Sequence, residues 1–514
     1  MKTNKIVTLS AFLGAFVPTM AQDFSDALRF NSNDVIGTAR SQAMAGAFGA
    51  VGADLTSMSI NPAGMGLYRA TELGFTLGVN VIKDDASFFQ TNASADRVKM
   101  SFNQLGVNFS IGRMREEGGG AVAHSIFIGY NRLADFNNKQ NYVDRFSKNS
   151  LLDYFCMDEQ ATGPLTGGLA YDAYLTNDTV RTGSTGRFTY NVWEEFVGDG
   201  INPNFRIDEN GDGLIVLNQH VTENGSKGDI PIGYAVNISN KLYIGGSLNV
   251  RTLSFERTTT HTEFFEGYTV YVGDPTEFSY RNYLNQDAAG VCFNLGVIYR
   301  PISALRVGFA LHSPTFYHVN ERFWAEVTNP SLNKPTLSSD EYEYEYKYRA
   351  PSRFIVSVAG VFGRIGMLSV DFEHTNNQRS KFSATDDADY VTVNAYDNMN
   401  TLMKDNVLEA SNTLRVGGEL SVLKPLYIRA GYRKTTNSIK KPFYVNEPES
   451  YACSGGIGFR RSNFFVDLTY VCDVKKSDRW VLPDSAEPYT YEDNAPAWQE
   501  QKKHSGVVTF GFRF

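Results

Sequence analysis

The sequence predicts an all-β protein, a 14-stranded antiparallel transmembrane β-barrel that encloses a small helical segment from its own N-terminal region. The last eleven residues, His504 to Phe514, alternate polar and apolar side chains and end on an aromatic residue. From Ala70 onward, segments of about ten residues repeat this alternation, and a tilted strand needs that length to cross the hydrocarbon. Beyond residue 21 no run of roughly 18 apolar residues occurs, so helices are not expected to cross a membrane.

The closing strand shows which face meets lipid. It places Val508, Phe510, Phe512 and Phe514 on one side. Water is a poor solvent for such a row, whereas lipid accepts it, so this face is predicted to point outward. A terminal phenylalanine also resembles the signal read by the barrel-insertion machinery of Gram-negative bacteria, which is therefore an expected partner.

The first residues are typical of an export signal. Two lysines precede a mostly apolar stretch, residues 6–17, which is too short to span a bilayer. Small residues at Thr19 and Ala21 suit a signal peptidase, so cleavage is predicted after Ala21. The expected location is the outer membrane of a Gram-negative bacterium.

Composition excludes several classes of protein. With a mean hydropathy of -0.29 and 45 glycines, the chain is too polar for a helical membrane protein but fits alternating lipid-facing and lumen-facing positions. The formal net charge is -8 and no basic cluster occurs, so a nucleic-acid partner is not expected. The four cysteines show no C-x-x-C spacing and are too few for a disulfide scaffold.

The predicted strands alternate apolar and polar residues along most of their length. The first, 70–82, has apolar side chains at odd positions from Leu73 to Val81. The others are predicted at 98–112, 120–131, 229–239, 242–256, 288–300, 304–318, 342–362, 366–375, 408–422, 425–435, 451–460, 464–474 and 504–514. Short turns at 113–119, 240–241, 301–303, 363–365, 423–424 and 461–463 alternate with long loops, as in outer-membrane barrels. An even count lets the last strand pair with the first, which leaves no strand edge in lipid.

Two strands carry special features. Alternation shifts near Gln104, which predicts a β-bulge in the second strand. Four tyrosines, at even positions from Tyr342 to Tyr348, share their parity with Phe354, so they are predicted to form part of an outward aromatic girdle. The alternative is an exposed hairpin above the membrane.

Residues 22–69 lack the period of a strand. Small residues at helical spacing, from Ala39 to Ala50, predict a helix that allows close backbone approach but buries little apolar area by itself. Such a segment needs a container. The following Asn61-Pro62-Ala63-Gly64 is predicted to turn.

The run from Gly37 to Gly64 closely resembles the N-terminal hatch of the FadL family of outer-membrane transporters for long-chain fatty acids and other hydrophobic compounds. The resemblance is carried by Arg40, Met44, Gly46, Asp54, Asn61, Pro62, Ala63 and Gly64. The resemblance implies a 14-stranded barrel with a hatch in its lumen. Within the family, the sequence most resembles Bacteroidetes-type members, some of which are labelled hemin receptors. The expected organisation is a signal peptide at 1–21, a hatch at 22–69 and a barrel at 70–514 with a long extracellular loop at 132–227.

This resemblance implies passive uptake of long-chain fatty acids or aromatic hydrocarbons across the outer membrane. The ligand would leave sideways through the wall at the third strand, where 118–120 is a run of glycines. Those glycines fit an ordinary turn equally well. Near the mature start, Phe24, Leu28 and Phe30 would contact the ligand or, alternatively, fasten the hatch to the wall.

Many charged residues have the parity of the lumen. They are Glu72, Arg251, Arg306, Asp371, Glu373, Arg415, Glu419, Arg429, Arg433, Asp467 and Arg513. One interpretation is a set of salt bridges that tie the wall to the hatch through Arg40 and Asp54. The other is that Arg429 or Arg433 pairs with a ligand carboxylate.

The long loop contains a candidate calcium site. Asp208, Asn210 and Asp212 match the first half of an EF-hand loop, but Gln219 stands where a bidentate glutamate is expected. A plain Asn/Asp/Gly turn is the alternative, and no other cofactor is expected.

Two cysteines flank a tight turn. The constant-sum rule of antiparallel pairing places Cys453 opposite Cys472 on the lipid face. They would form a cross-strand disulfide, or they are two small apolar thiols that face lipid.

No catalytic motif appears, and an enzyme is not expected. A hemin-binding receptor is an alternative, with His124, His261, His312 and His318 as candidate ligands, although no paired spacing occurs. A structural or adhesive barrel that binds partners through its long loop is a third reading. The expected partners are outer-membrane lipid and a hydrophobic ligand, and a closed barrel is expected to be a monomer.

Overall fold

The computed structural model describes most of the chain after residue 23. The described residues are 24–34, 36–89, 91–112, 120–147, 150–152, 155, 167–180, 187–191, 195–197, 200–202, 215–265, 276–333, 335–423, 425–441, 444–479, 481 and 496–514. The predicted signal peptide and the candidate calcium ligands Asp208, Asn210 and Asp212 lie outside these residues.

Fourteen antiparallel strands close into a barrel, which confirms the predicted count. Their bounds are β1 Glu72–Phe88, β2 Thr91–Gly112, β3 Ala121–Asp135, β4 Ile215–Ile238, β5 Leu242–Phe265, β6 Glu277–Ile302, β7 Leu305–His312 and Thr315–Thr328, β8 Tyr342–Ala350 and Arg353–Phe362, β9 Gly366–Asn376, β10 Ala410–Leu423, β11 Leu426–Thr435, β12 Glu449–Arg460, β13 Phe464–Arg479 and β14 Ala497–Arg513. Each strand pairs with its neighbour in the chain, and β14 returns to β1, where Phe75 lies opposite Phe510.

Alternation along the strands separates lipid from lumen as predicted. Phe510 and Phe512 are exposed on the outer face, whereas Thr509 is buried inside. This pattern satisfies both solvents, because apolar groups meet hydrocarbon and polar groups meet the lumen. Among the described residues, no helix has the length and apolar character needed to cross a membrane.

Two local predictions of register are confirmed. The β1–β2 pairing skips one residue, Asn103, beside Gln104, which is the predicted bulge. Cys453 lies directly opposite Cys472 on β12 and β13. Both thiols are free, so the pair forms no disulfide in this structure.

Strand pairing extends above the membrane further than the predicted loop 132–227 allowed. β3 continues to Asp135, and a strand at Asn138–Ser147 pairs with the first part of β4. These extensions need no alternation of lipid-facing residues, because they lie beyond the hydrocarbon, so the sequence pattern did not reveal them. Farther along this connection, the described residues form a helix at Gly167–Asp172 and two antiparallel strand pairs, Thr176–Val180 with Arg187–Asn191 and Glu195–Val197 with Gly200–Asn202.

The predicted aromatic girdle is wrong. β7 is interrupted at Pro314 and the neighbouring β8 at Pro351, and each interruption exchanges the inward and outward parity of its strand. Tyr346 and Tyr348 are therefore buried inside, although Phe354 on the other side of the break faces lipid. Proline lacks the N–H that a strand ladder needs, which explains why both breaks fall there.

Residues 24–68 lie inside the barrel and are called here the inner segment. It contains the helices α1 Phe24–Asn31, α2 Ala39–Ala43 and α3 Ser57–Ile60, followed by a 3-10 helix at Pro62–Leu67. The helix predicted to continue to Ala50 ends at Ala43, which corrects that prediction. Ala45 and Gly46 have positive φ angles of 51° and 76°, a left-handed conformation that ends a helix.

Candidate functional site

Glycines in the barrel strands let the backbone of the inner segment's middle part pack directly against the backbone of the wall. A Cβ atom added at Gly245 on β5 would lie 2.5 Å from the carbonyl carbon of Pro62. One added at Gly431 on β11 would lie 2.5 Å from the backbone nitrogen of Ala45. Because real Cβ atoms do not come so close, only glycine permits this fit.

A buried ion-pair network joins the same part to the wall. Arg40 donates from Nε to Glu419 at 2.9 Å, and Glu419 also accepts from Nε of Arg429 at 2.7 Å. Arg429 in turn donates to Asp467 at 2.6 Å. Burial alone would lower the pKa of Arg40, but Glu419 outweighs this and holds that pKa above its ordinary value.

The other residues that resemble the hatch motif fold the inner segment onto itself or onto the wall. Asp54 accepts from the Thr38 hydroxyl at 2.8 Å and from the backbone N–H of Thr56 at 2.9 Å, so its bonds lie within the segment. Asn61 donates to the carbonyl of Gly49 at 2.6 Å and accepts from the N–H of Ala63 at 3.1 Å. Met44 is fully buried against Gly417, and the carbonyl of Gly64 accepts from Ala53.

Helix α1 is held against the wall mainly by aromatic side chains. The ring of Phe30 lies 5.3 Å from that of Tyr317 and 4.7 Å from that of Tyr348, centroid to centroid. These rings belong to an apolar cluster inside the barrel that Phe24 and Leu28 also contact at its border. The parity exchange at the two prolines is what turns both tyrosines inward.

One buried lysine also binds the C-terminal end of α1. Lys227 on β4 is fully buried and donates from Nζ to the carbonyls of Phe30 at 2.6 Å and Ser32 at 3.1 Å. Carbonyls at the C-terminal end of a helix lack intrahelical partners, and the Lys227 amine supplies donors to them. Neither Lys227 nor Tyr317 was singled out from the sequence, since nothing in the local pattern indicates their partner.

A cavity of about 350 Å³ opens beside α1. It is bounded by Leu28 and residues 31–34 of the inner segment and by β9 to β13. Leu28, Arg415 and Arg433 all line it, whereas Arg429 is buried below in the ion-pair network. The two arginines proposed from the sequence therefore differ, because only Arg433 lines the cavity beside α1.

Asp34 lies where this cavity meets two smaller ones. One, of about 40 Å³, extends toward β12 to β14, and another, of about 30 Å³, extends toward β3. Asp34 lines all three and approaches Lys475 at 3.4 Å and Lys503 at 4.0 Å. Burial would raise the pKa of its carboxyl, but the two lysines outweigh it and hold that pKa well below its usual range.

The hydrogen-bond ladder between β3 and β4 is interrupted at one point. Ile128 pairs with Ile232 and Asn131 with Asp229 in the same register, but the ladder skips the two pairs between them, where Gly129 and Tyr130 face Pro231 and Ile230. Pro231 has no N–H to donate, which accounts for the missing ladder bonds. Inside this break, the methyl end of Met58 packs against Gly129 and belongs to an apolar cluster with Phe127.

This break is not where the sequence suggested a weak point. Of the glycine run 118–120, only Gly120 is described, and its carbonyl accepts from Ser239 at 3.0 Å in the short turn. The sequence feature that could have located this break is Pro231, because proline cannot donate a ladder hydrogen bond within a predicted strand.

The four histidines considered for hemin lie apart. His124 contacts Tyr234 on the outer face, and His318 is exposed near Glu345. His261 is buried beside Glu263, while His312 is buried against the carbonyl of Ile60. Among the described residues, no group of three or more His, Cys, Asp or Glu side chains has the arrangement of a metal site.

Solved structures share this architecture. A Pseudomonas aeruginosa FadL homologue aligns with a TM-score of 0.55 at 10% identity, covering 94% of this chain and 100% of that one. The P. putida toluene transporter TodX aligns with a TM-score of 0.50 at 11% identity, covering 94% and 99%. No protein-family model and no curated protein matches the sequence. At these identities the likeness shows the fold, which is FadL-like.

Proposed function

We propose that the protein is an outer-membrane channel for the passive uptake of hydrophobic small molecules, such as aromatic hydrocarbons or long-chain fatty acids. The observation that carries the proposal is the break in the β3–β4 ladder at Pro231, which has lipid outside and an apolar cluster inside. Lateral exit from the barrel is energetically favourable for a hydrophobic molecule, because hydrocarbon is a better solvent for it than water. The fold shared with a FadL homologue supports the same role.

The positions of the cavities support a route to this break. The long-loop end, external in barrels of this kind, leads to the cavity beside α1. The small cavity at Asp34 shares Glu373 and Arg415 with it and reaches Asn131 and Leu133 on β3. Asn131 borders the unpaired stretch of the wall. The proposed route therefore bends from the mouth around the inner segment and ends in the membrane.

The inner segment would control this route. The thioether of Met58 covers Gly129 from inside, and its unbranched chain has three rotatable bonds that adapt to a passing molecule. No energy source is needed, since partition into lipid drives the movement.

The test is uptake by purified protein in lipid vesicles. Labelled toluene, oleate and hemin are added outside, and the protein is expected to accelerate toluene or oleate transfer over protein-free vesicles, with saturation. Saturable hemin binding with no transfer of either hydrophobic compound would overturn the proposal.

The lateral step has its own variant. Pro231→Val restores a backbone N–H opposite Gly129, so the ladder is expected to close and transfer to slow several-fold. Ile232→Val on the outer face of the same strand is the matched control and should behave as wild type. An unchanged rate in Pro231→Val would contradict exit at this break.

A further inference from the structure

Most residues that line the cavity beside α1 are polar or charged, which is unexpected for a passage that admits hydrocarbons. Of the residues that line it, 13 are serine, threonine or asparagine and seven are charged. Only Leu28, Ile439 and Pro448 are apolar. Its volume of about 350 Å³ falls within the usual size range of small-molecule sites, roughly 300–1,000 Å³.

The charges of this cavity neutralise one another. Arg415 pairs with Glu373 at 2.9 Å, and Arg433 pairs with Asp473. The two lysines are also paired: Lys475 lies 3.4 Å from Asp34, and Lys476 lies 3.4 Å from Glu449. A ligand carboxylate would have to compete with a carboxylate that is already in place at each cation. The cavity is therefore poorly suited to bind a fatty acid by its charge.

Neutral hydrogen-bonding groups remain available. Among the described residues, the hydroxyls of Thr375, Ser450 and Ser477 line the cavity without a side-chain or backbone partner. Arg415 is only 4% exposed and its Nε has no acceptor, and Oδ1 of Asn33 has no donor. Buried polar atoms without partners are costly, and a ligand that offers both donors and acceptors would satisfy them.

We propose that this cavity binds the neutral, polyhydroxylated head group of an amphiphile, of which the sugar of an alkyl glycoside is the simplest example. Hydroxyl groups donate and accept at once, which matches the mixture of free groups around the wall. Leu28 and Ile439 border both the cavity and the apolar cluster of α1, so an attached alkyl tail would lie beside them. This inference rests on the proposed uptake function and adds a class of ligand to it.

Binding to protein in lipid nanodiscs tests the proposal. The probes are labelled octyl glucoside below its micellar concentration, octanoate and free glucose. Octyl glucoside is expected to bind saturably, and octanoate and glucose at least tenfold more weakly. Equal binding of octanoate would overturn the argument from paired charges, and equal binding of glucose would overturn the amphiphile. Absence of saturable octyl glucoside binding would overturn the site itself.

Variants make the test specific. The triple variant Thr375→Val, Ser450→Ala and Ser477→Ala removes the free hydroxyls at nearly constant volume, and octyl glucoside binding should weaken about tenfold or more. The control Thr252→Val with Ser254→Ala changes two exposed positions on the outer face of β5 and should bind as wild type. Unchanged binding in the triple variant would contradict the proposed contacts.

A second variant predicts a gain. Glu449→Gln leaves Lys476 without its carboxylate, so octanoate binding should rise several-fold over wild type. Failure of octanoate to gain would contradict the role assigned to the paired charges. Toluene transfer by the wild-type protein distinguishes failure of this inference from failure of the proposed uptake function. If toluene passes but octyl glucoside does not bind, this inference fails and the uptake function stands, whereas failure of all transfer removes the function.

Discussion

The two parts of the inner segment, helix α1 and the stretch from α2 to the 3-10 helix, are held in the barrel by different interactions. From α2 to the 3-10 helix, backbone fits against wall glycines and a buried arginine–carboxylate network fixes the chain. Helix α1 is held by aromatic contacts around Phe30 and by Lys227 at its C-terminal end. Its buried Arg29 also donates to Gln286 of the wall at 2.6 Å, and the helix borders the cavity described above. Backbone packed against wall glycines has no room to move, whereas the side-chain contacts that hold α1 can rearrange. The comparison indicates that α1 is the part that yields to a ligand, while the rest remains a fixed plug.

The largest expected effect comes from breaking the fixed part electrostatically. Glu419→Gln leaves Arg40 and Arg429 short of a carboxylate in a buried site, which is expected to cost about 3–5 kcal/mol of unfolding free energy. Denaturant unfolding in detergent measures it. Glu256→Gln on the exposed outer face is the control, and a loss no larger than the control's would contradict a structural role for the network.

The next effect comes from filling a glycine slot. Gly431→Val puts a side chain where the backbone of Ala45 lies, and overpacking of this kind costs about 1–3 kcal/mol. Gly506→Val is the matched control, since nothing lies within 4 Å of a Cβ added there. If both variants unfold alike, the close fit contributes nothing to stability.

A local effect is expected at α1. Phe30→Ala removes the ring between Tyr317 and Tyr348, so the helix should open while the barrel unfolds at an unchanged denaturant concentration. Hydrogen exchange of the α1 amides should become fast. Phe309→Ala, on the outer face, is the control. A large loss of global stability would instead place α1 in the fixed part.

The smallest effect is expected at Asp34, between the two parts. Its lysine partners are partly exposed, so Asp34→Asn should cost at most about 1 kcal/mol. Because the pKa of the folded carboxyl is lowered, its contribution is present above the unfolded value near 4 and fades as pH falls through the lower folded pKa. Unfolding of wild type and variant from pH 7 down to pH 3 measures this. A difference that grows toward low pH would contradict the assigned ion pairs.

Local patterns determined most of the barrel. Period-two alternation located 14 strands, and its shift at Gln104 located the bulge. The same pairing rule placed Cys453 opposite Cys472. These features follow from the sequence because each depends on hydrogen bonding between neighbouring strands and on the two solvents that they face.

Other features depended on the space inside the closed barrel. The sequence does not show that parity changes at Pro314 and Pro351, that α2 stops at Ala43, or that Lys227 meets the end of α1. Each is decided by what lies opposite in the lumen, and residues nearly 200 positions apart meet there. Alternation along a strand is a local property of the chain, whereas the shape of a cavity exists only once the wall has closed around it.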